Sequence, residues 1–430
     1  MAADVALLPR LCRDLTEPEP IPAAGIARAC ELMRSGRLFR YGELGADQND
    51  VALLEEEFAA VVGRRFCVAV NSGGAALCLA LKVLDVQHDE PVLVNGFTLA
   101  PVPGAILHAG GSPVLVEVGE DYRIDLDDLR RKARASGARI LLLSHMRGHI
   151  ADMDAVMATC DELGLQLVED CAHALCASWN GRAIGTFGAA AAFSAQTYKH
   201  LNAGEGGFLV VDEDALAAHA ILLSGSYMLH AQHRSAPDVE AFASWEERTP
   251  NLSMRMTALA AALLRPQLAD LPRRVRRWNA IHDRIAGALA PLQHVRMPLR
   301  PAREGYAATS VQFSLTGLEE DEISAVIARC ARRGLPVKWF GAGRQAGFTS
   351  APRHWRYAGE QGAMTRTHAV LAGLCDIRTP LSLTDKDCDL VAEILREAIE
   401  TIVAARAAAG ETGRPKAGRA RANDDREKQR

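Results

Sequence analysis

No stretch of this chain approaches the roughly 18 consecutive apolar residues that a membrane-spanning helix requires, although 49% of its 430 residues are hydrophobic. The opening residues, Met1-Ala-Ala-Asp-Val-Ala-Leu-Leu-Pro-Arg10, lack a charged segment followed by a long apolar run, so they do not read as an export leader. An excess of either charge is also missing. The formal net charge is −4 and the basic residues are spread along the chain, which leaves no electrostatic footprint for nucleic acid. Zinc-knuckle and redox-pair spacings are absent among the ten cysteines; Cys171 and Cys176 are too far apart for either. Cys67, Cys78 and Cys330 lie inside apolar runs and read as small buried hydrophobes in a reducing compartment. These absences predict a cytoplasmic protein with no structural disulfide, no membrane partner and no nucleic-acid partner.

What is present is an alternation of two periods. Val51, Leu54, Phe58 and Val61 recur at helical spacing, and the short apolar run Cys67–Val70 follows. Strand-like blocks continue at Pro91–Val94, Val114–Val118, Ile140–Ser144, Leu165–Val168 and Ala189–Ser194, separated by helix-length segments. Such alternation predicts an α/β fold with a mostly parallel sheet covered by helices. A long Arg- and Leu-rich helical stretch, Leu263–Leu289, precedes a strand at Val311–Leu315 and a helix from about Glu319 to Arg333. The expected division is a large domain over 1–290, including the N-terminal segment, a smaller C-terminal α/β domain over 291–407, and a disordered tail over 408–430. The tail mixes Gly, Pro, Ala, Lys and Arg without apolar periodicity, so it buries too little to offset the entropy of ordering.

Three segments carry chemistry. The first, Val70-Asn-Ser72-Gly73-Gly74-Ala75-Ala-Leu77, turns from a strand through two glycines into a helix, where free amide N–H groups can hold a phosphate without a basic side chain. Two glycines at such a place are more often only a tight turn. The second, Leu167-Val-Glu-Asp170-Cys-Ala-His173-Ala, puts Asp170 at the carboxyl end of a strand, the edge where open α/β sheets bind ligands. An N-cap role for Asp170 and a core role for His173 are the plainer alternatives. The third, Phe193-Ser194-Ala-Gln-Thr-Tyr-Lys199-His-Leu-Asn-Ala-Gly204-Glu-Gly-Gly207, places a hydroxyl five residues before a lysine and glycines just after it. A lysine amine with an upstream aspartate suits pyridoxal phosphate (PLP): the amine holds the cofactor as a Schiff base and the anion keeps its pyridine nitrogen protonated.

The three segments together resemble the DegT/StrS family of PLP-dependent aminotransferases, which aminate keto groups of nucleotide-linked sugars and aminocyclitols on the aspartate-aminotransferase (fold type I) scaffold. The resemblance runs from about Ala27 to Ala404, with Gly110-Gly-Ser-Pro-Val114 and Arg255-Met256 among its further pieces. It implies a fold type I transferase with a seven-stranded-type sheet, Lys199 as the Schiff-base lysine, Asp170 as partner of the ring nitrogen, and His173 as a ring-side contact. Ser194, Gly73, Gly74 and Ala75 would form the phosphate cradle. It further implies a homodimer with shared sites, an amino-acid donor such as glutamate or glutamine, and a keto sugar, keto-cyclitol or related acceptor. The sequence departs from the pattern at three places. Gly74 replaces a threonine of the phosphate turn. Leu99 stands where an aromatic ring covers the cofactor, so that either Phe97 substitutes or the stack is aliphatic. Ser253 stands where an asparagine reaches a phosphate across the dimer interface, with Asn251 two residues before it.

Other groups are weighed alongside. His145 and Arg147 follow a strong strand on the ligand edge and can touch substrate; His145, His149 and Asp152 do not make a full ligand set, so no metal is assigned. Trp339-Phe340-Gly-Ala-Gly343-Arg344 reads as a loop over the active site, with Arg344 either an anion ligand or a solvated surface residue. Two rival functions remain: a PLP enzyme of this fold with different chemistry, such as dehydration, decarboxylation or oxidation, and a non-catalytic regulatory member.

Overall fold

Each apolar block of the first half becomes one strand of a single sheet, because a strand buried on both faces needs no polar alternation. The computed structural model describes residues 8–42, 49–344, 347 and 350–412. In chain order, α1 (Ala23–Ser35) and α2 (Asp50–Val62) lead into β1 (Phe66–Val70), α3 (Gly73–Val83), β2 (Pro91–Asn95), α4 (Pro101–Ala109), β3 (Ser112–Val116), α5 (Leu126–Ser136), β4 (Ile140–Ser144), α6 (Met153–Leu163) and β5 (Gln166–Asp170). Short strands β6 (Ser178–Trp179) and β7 (Arg182–Ala183) precede β8 (Ala190–Ser194), β9 (Gly207–Val211), α7 (Asp214–Ser224) and the long α8 (Ala258–Leu289).

The sheet runs β1-β9-β8-β5-β4-β2-β3, and β9 alone opposes the other six strands. The mostly parallel seven-stranded expectation is therefore met. Alternate residues of β1 serve different cores: Cys67 and Ala69 face one layer, Phe66, Val68 and Val70 the other. Helix ends follow side-chain chemistry. Asn49, Asp125 and Asp152 cap α2, α5 and α6 by accepting first-turn N–H groups, and Gly63, Gly137 and Gly164 end those helices in the left-handed conformation.

The remaining elements are β10 (Val295–Arg296), β11 (Glu304–Gly305), β12 (Ser310–Leu315), α9 (Glu320–Arg332), β13 (Lys338–Trp339), α10 (Thr365–Gly373), β14 (Leu374–Arg378) and α11 (Asp385–Thr412). β10, β12, β14 and β13 form an antiparallel sheet of four. The expected boundary at residue 290 is not sharp, because α8 belongs to both layers: Leu264, Leu268 and Leu271 pack in the large core, and Ile281, Ile285 and Leu289 in the small one. Nor does the N-terminal segment stay with the large layer. Leu11 and Leu15 pack in the small core, and Leu11 N–H donates to Arg333 O at 2.8 Å. Conversely, Trp355 and Met364 insert into the large core. Of the tail expected from residue 408, residues 408–412 belong to α11, which continues to Thr412; residues 413–430 lie outside the described residues. The expected strand at Val114–Val118 starts and ends two residues earlier.

Candidate active site

The loop between β8 and β9 carries Lys199, and hydrogen bonds inside it fix the lysine's direction. Gln196 N–H donates to Ser194 Oγ at 3.2 Å, Tyr198 N–H to Gln196 Oε1 at 3.1 Å, and Lys199 N–H to Gln196 O at 2.8 Å. Lys199 Nζ lies 2.7 Å from His173 Nε2, which arrives on the turn after β5. Burial first, and then the positive charge of Arg147 and Arg378, bring the Lys199 amine down to about 7 against the opposing pull of Asp170. Burial, together with Lys199 and Arg147, holds His173 well below its ordinary value and hence neutral.

Asp170 ends β5 beside Ser144, its register partner on β4. Ser144 Oγ donates to Asp170 Oδ2 at 2.6 Å and Ala172 N–H to Oδ1 at 3.1 Å. Behind Ser144, Thr98 Oγ1 donates to its hydroxyl at 2.8 Å, and Asn95 brackets its backbone, accepting from Ser144 N–H at 2.8 Å and donating to Ser144 O at 3.1 Å. The carboxylate is thus oriented by two neutral donors, with no cation paired to it among the described residues.

The third element is the N-terminus of α3. Ser72 Oγ accepts from Ala75 N–H at 3.1 Å, so the Ala75 amide is occupied by the helix cap and is not a free donor of the cradle. The Gly73 and Gly74 amides have no protein acceptor among the described residues. A Cβ on Gly73 would come within 2.8 Å of Ser194 Cβ, and one on Gly207 within 2.3 Å of Ser72 O, so two of the glycines read from the sequence are there for close approach.

These groups open on one cavity of about 530 Å³, lined by Gly73, Gly74, Leu99, Asp170, His173, Ser194 and Lys199. A larger, more open groove of about 890 Å³ along α1, α2 and α8 holds the Arg28–Asp50 and Arg265–Glu57 ion pairs and none of this chemistry. Leu99 lines the cavity. Phe97 does not: it is fully buried, edge-on to Phe340 with centroids 5.3 Å apart, because β2 ends with its alternate residue pointing into the core between the two layers. Asn251 and Ser253 also lie off the cavity lining; Asn251 Oδ1 accepts from Ser253 N–H at 2.9 Å and from Arg255 Nη1 at 3.4 Å. The Trp339–Arg344 segment does not cover the site. Phe340 packs on Phe97, Trp339 Nε1–H donates to Ala372 O at 2.7 Å, and Arg344 is exposed away from the lining, although Gly347 reaches it.

The metal candidates separate as well. His149 bonds Gln312 and Asp152 caps α6, while His145 instead groups with Glu169 and Cys171. Glu169 there accepts the N–H groups of Gly185, Phe187 and Gly188, which makes it the staple of that turn. Cys171 is buried, as a packing role requires, whereas Cys176 is exposed. Sequence reading missed Ser144, Thr98 and Asn95 behind Asp170, and Tyr198 and Arg378 in the cavity wall. Strand register or tertiary contact brings Ser144, Thr98, Asn95 and Arg378 to the site, whereas Tyr198 directly precedes Lys199 in the chain.

The model of the DegT/DnrJ/EryC1/StrS aminotransferase family matches residues 26–396. The chain belongs to this family. It is 34% identical over 255 residues to spore coat polysaccharide biosynthesis protein SpsC of Bacillus subtilis (strain 168), covering 57% of this chain and 64% of that one. The chain thus spans just under two thirds of that relative's length. It is 30% identical over 318 residues to 3-amino-5-hydroxybenzoate synthase of Amycolatopsis mediterranei (strain S699), covering 73% of this chain and 77% of the relative. The fold is shared with a protein of Streptococcus pneumoniae described as a sugar aminotransferase in its PLP form, at 20% identity and a TM-score of 0.75 over 90% of this chain and 98% of that one. Among the described residues no helix is long and apolar enough to cross a membrane.

Proposed function

We propose that this protein is a PLP-dependent aminotransferase that moves an amino group from glutamate or glutamine to the keto group of a sugar, cyclitol or related metabolite in sugar or secondary-metabolite biosynthesis. One observation carries the reading: a cavity that joins a lysine amine lowered to about 7, a carboxylate held by neutral donors, and a helix N-terminus with two free amides. The residues fit the cofactor on their own chemistry. Gly73, Gly74 and Ser194 would hold its phosphate, since unsatisfied N–H groups at a helix start favour an anion. Asp170 would accept the ring N–H, Leu99 would cover the ring face, and Lys199 would hold the aldehyde carbon.

When bound, PLP supplies an electron sink beside the Cα of the amino donor. The protein's part is to bind, orient and move a proton. At neutral pH an amine with a value of about 7 is substantially uncharged, so Lys199 Nζ can take up the donor's Cα proton and return it as general base and acid. Neutral His173 at 2.7 Å limits the directions that amine can take. Asp170 has no ion-pair partner among the described residues, which leaves it to face the ring nitrogen.

A homodimer and a cytoplasmic location complete the reading. Phe39 and Tyr227 are large exposed hydrophobics under the Arg255 guanidinium and Met228 is exposed next to Tyr227 in the chain, a patch that a second copy would cover, bringing Asn251 and Ser253 toward the partner's cavity. All ten cysteines are free, as a reducing compartment would have them.

The test is the absorbance of the purified protein with PLP, before and after excess L-glutamate or L-glutamine, beside Lys199→Ala. A band near the visible edge that either donor shifts to the near ultraviolet, and that the variant lacks, is expected. No Lys199-dependent band would overturn the enzyme reading.

A further inference from the structure

The loop that carries Lys199 has two arms, and the downstream one docks on α8. Gln267 of that helix turns its side-chain amide onto Asn202: Oε1 accepts from Asn202 N–H at 2.9 Å, and Nε2 donates to Asn202 O at 2.7 Å. Nε2 also donates to Leu263 O, one turn back in the helix, at 2.8 Å. Gln267 thus exchanges both N–H···O bonds with one backbone unit, as a residue of a neighbouring antiparallel strand would, although Asn202 lies in no strand. It is 1% exposed, and Leu264, Leu268 and Leu271 of the same helix lie in the large core. A polar side chain in such company is costly unless it is bonded, and this one is bonded at its oxygen and at its nitrogen twice.

Arg274, about two turns further along α8, adds to the same clamp. Its Nη1 donates to Gln267 Oε1 at 3.2 Å and to His200 O at 3.4 Å, and its guanidinium lies 5.2 Å from the centroid of the Trp278 ring. His200 meets that ring edge-on, with centroids 5.5 Å apart, and donates from Nε2 to Ala307 O at 2.9 Å. Asn202 Oδ1 in turn accepts from Gly204 N–H at 3.0 Å, where the chain heads back toward β9. The residue directly after Lys199 is therefore held from two sides, and Asn202 by a reciprocal pair. Neither Gln267 nor Arg274 lines the cavity, so each can act on the chemistry only through this loop. The place of Nζ, at the end of a long side chain, follows the backbone that carries it, and a displacement of about 1 Å in a reacting group can cost on the order of a hundredfold in rate.

We propose that Gln267, backed by Arg274, is a positioning residue for Lys199: it locks the downstream arm of the lysine loop to α8 and so sets where the amine stands when it moves the donor's Cα proton. Gln267 does this without touching substrate or cofactor. The proton step rests on the aminotransferase reading above, whereas the clamp on Asn202 does not, and the two are tested separately.

The test uses full-length protein loaded with PLP, comparing wild type with Gln267→Met and Gln267→Glu. Methionine fills the space of the amide without its hydrogen bonds; glutamate keeps an acceptor for Asn202 N–H and Arg274 but loses the donor to Asn202 O. The Lys199-dependent band reports that cofactor site and fold are intact, and hydrogen exchange of the 199–204 segment, read by mass spectrometry, reports the clamp. Conversion of the band in single turnover by L-glutamate or L-glutamine, whichever shifts it, with and without deuterium at Cα, gives the rate, the half-saturating concentration and the isotope effect. In Gln267→Met the band is expected to persist and exchange to quicken. The rate should fall roughly tenfold or more, with an unchanged half-saturating concentration and a larger isotope effect, the signature of a loss felt at the proton transfer. Gln267→Glu should fall between the two. Should Gln267→Met lose the band, Gln267→Glu decides by the same readings. With the band present, a rate within about twofold of wild type, or a loss confined to half-saturation, overturns the positioning role while leaving the aminotransferase reading standing. Absence of a Lys199-dependent band in wild type overturns that reading itself.

Discussion

Ser144 and Asp170 sit side by side in the register of β4 and β5, and the serine hydroxyl donates to the aspartate at 2.6 Å. The bond holds Asp170 in one orientation with a neutral donor, so the full charge faces the cavity. Ser144→Ala removes one of two hydrogen bonds to an ionised group, worth about 1.5–3 kcal/mol. PLP affinity, followed by absorbance titration, should weaken by roughly ten- to a hundredfold. Affinity within twofold of wild type would show that Ser144 is packing only.

The Lys199 amine gives the protein without cofactor a distinctive pH dependence. Its value is about 7 in the fold and 10.5 unfolded. Between these the unfolded chain binds the extra proton, so stability rises with pH across that window, by up to about 1.4 kcal/mol per pH unit, and the full cost is present below about 7. Thermal unfolding of cofactor-free protein from pH 7 to 10 should show this rise in wild type and a flatter profile in Lys199→Met. Parallel profiles would contradict it.

A second buried charge cluster acts in the opposite pH range. Glu55 accepts from Arg40 at 2.7 and 3.0 Å, lies 2.9 Å from His233, and also takes Ala69 N–H at 2.8 Å. Burial alone would raise its pKa, but Arg40 and His233 hold it down to about 2. A depressed carboxylate stabilises the fold above its unfolded value of 4.5, and that contribution is lost as pH falls toward 2. Glu55→Gln leaves Arg40 buried without its partner and should cost about 3–5 kcal/mol in urea unfolding at neutral pH, with less pH dependence below 4.5 than wild type.

Gly207 tests the close approach of strand and cradle. A Cβ there would meet Ser72 O at 2.3 Å, so Gly207→Ala must push the α3 turn away from Ser194. A stability loss of about 1–3 kcal/mol is expected, together with weakened PLP binding. Gly204→Ala, where a Cβ meets open space but the backbone has φ +78°, should instead cost only local strain and spare the cofactor. Equal effects on PLP affinity would refute the distinction.

The parts of the site legible in the sequence are those whose chemistry is local. A lysine between an apolar strand and a glycine cluster, an aspartate ending a strand, and two glycines at a helix start all announce themselves along the chain. The choice between Phe97 and Leu99 was not legible because aromatic character says nothing of which face of a strand end a residue takes; Leu99 has the cavity. Ala75 was misread because the Ser72 cap competes for its amide. Arg378 was invisible for a different reason: it belongs to a separate sheet, and no sequence separation links it to Lys199. The domain boundary blurred because α8 is long enough to serve two cores.

Ser194 and Gly207 are paired across β8 and β9, and Gly207 pairs in turn with Val70 at the end of β1. The lysine segment is therefore a closed excursion whose two ends meet at a single rung of the sheet, and the phosphate turn departs from the same rung. The reactive amine and the anion cradle therefore take their positions from one shared rung, and any slip of that rung would displace both at once.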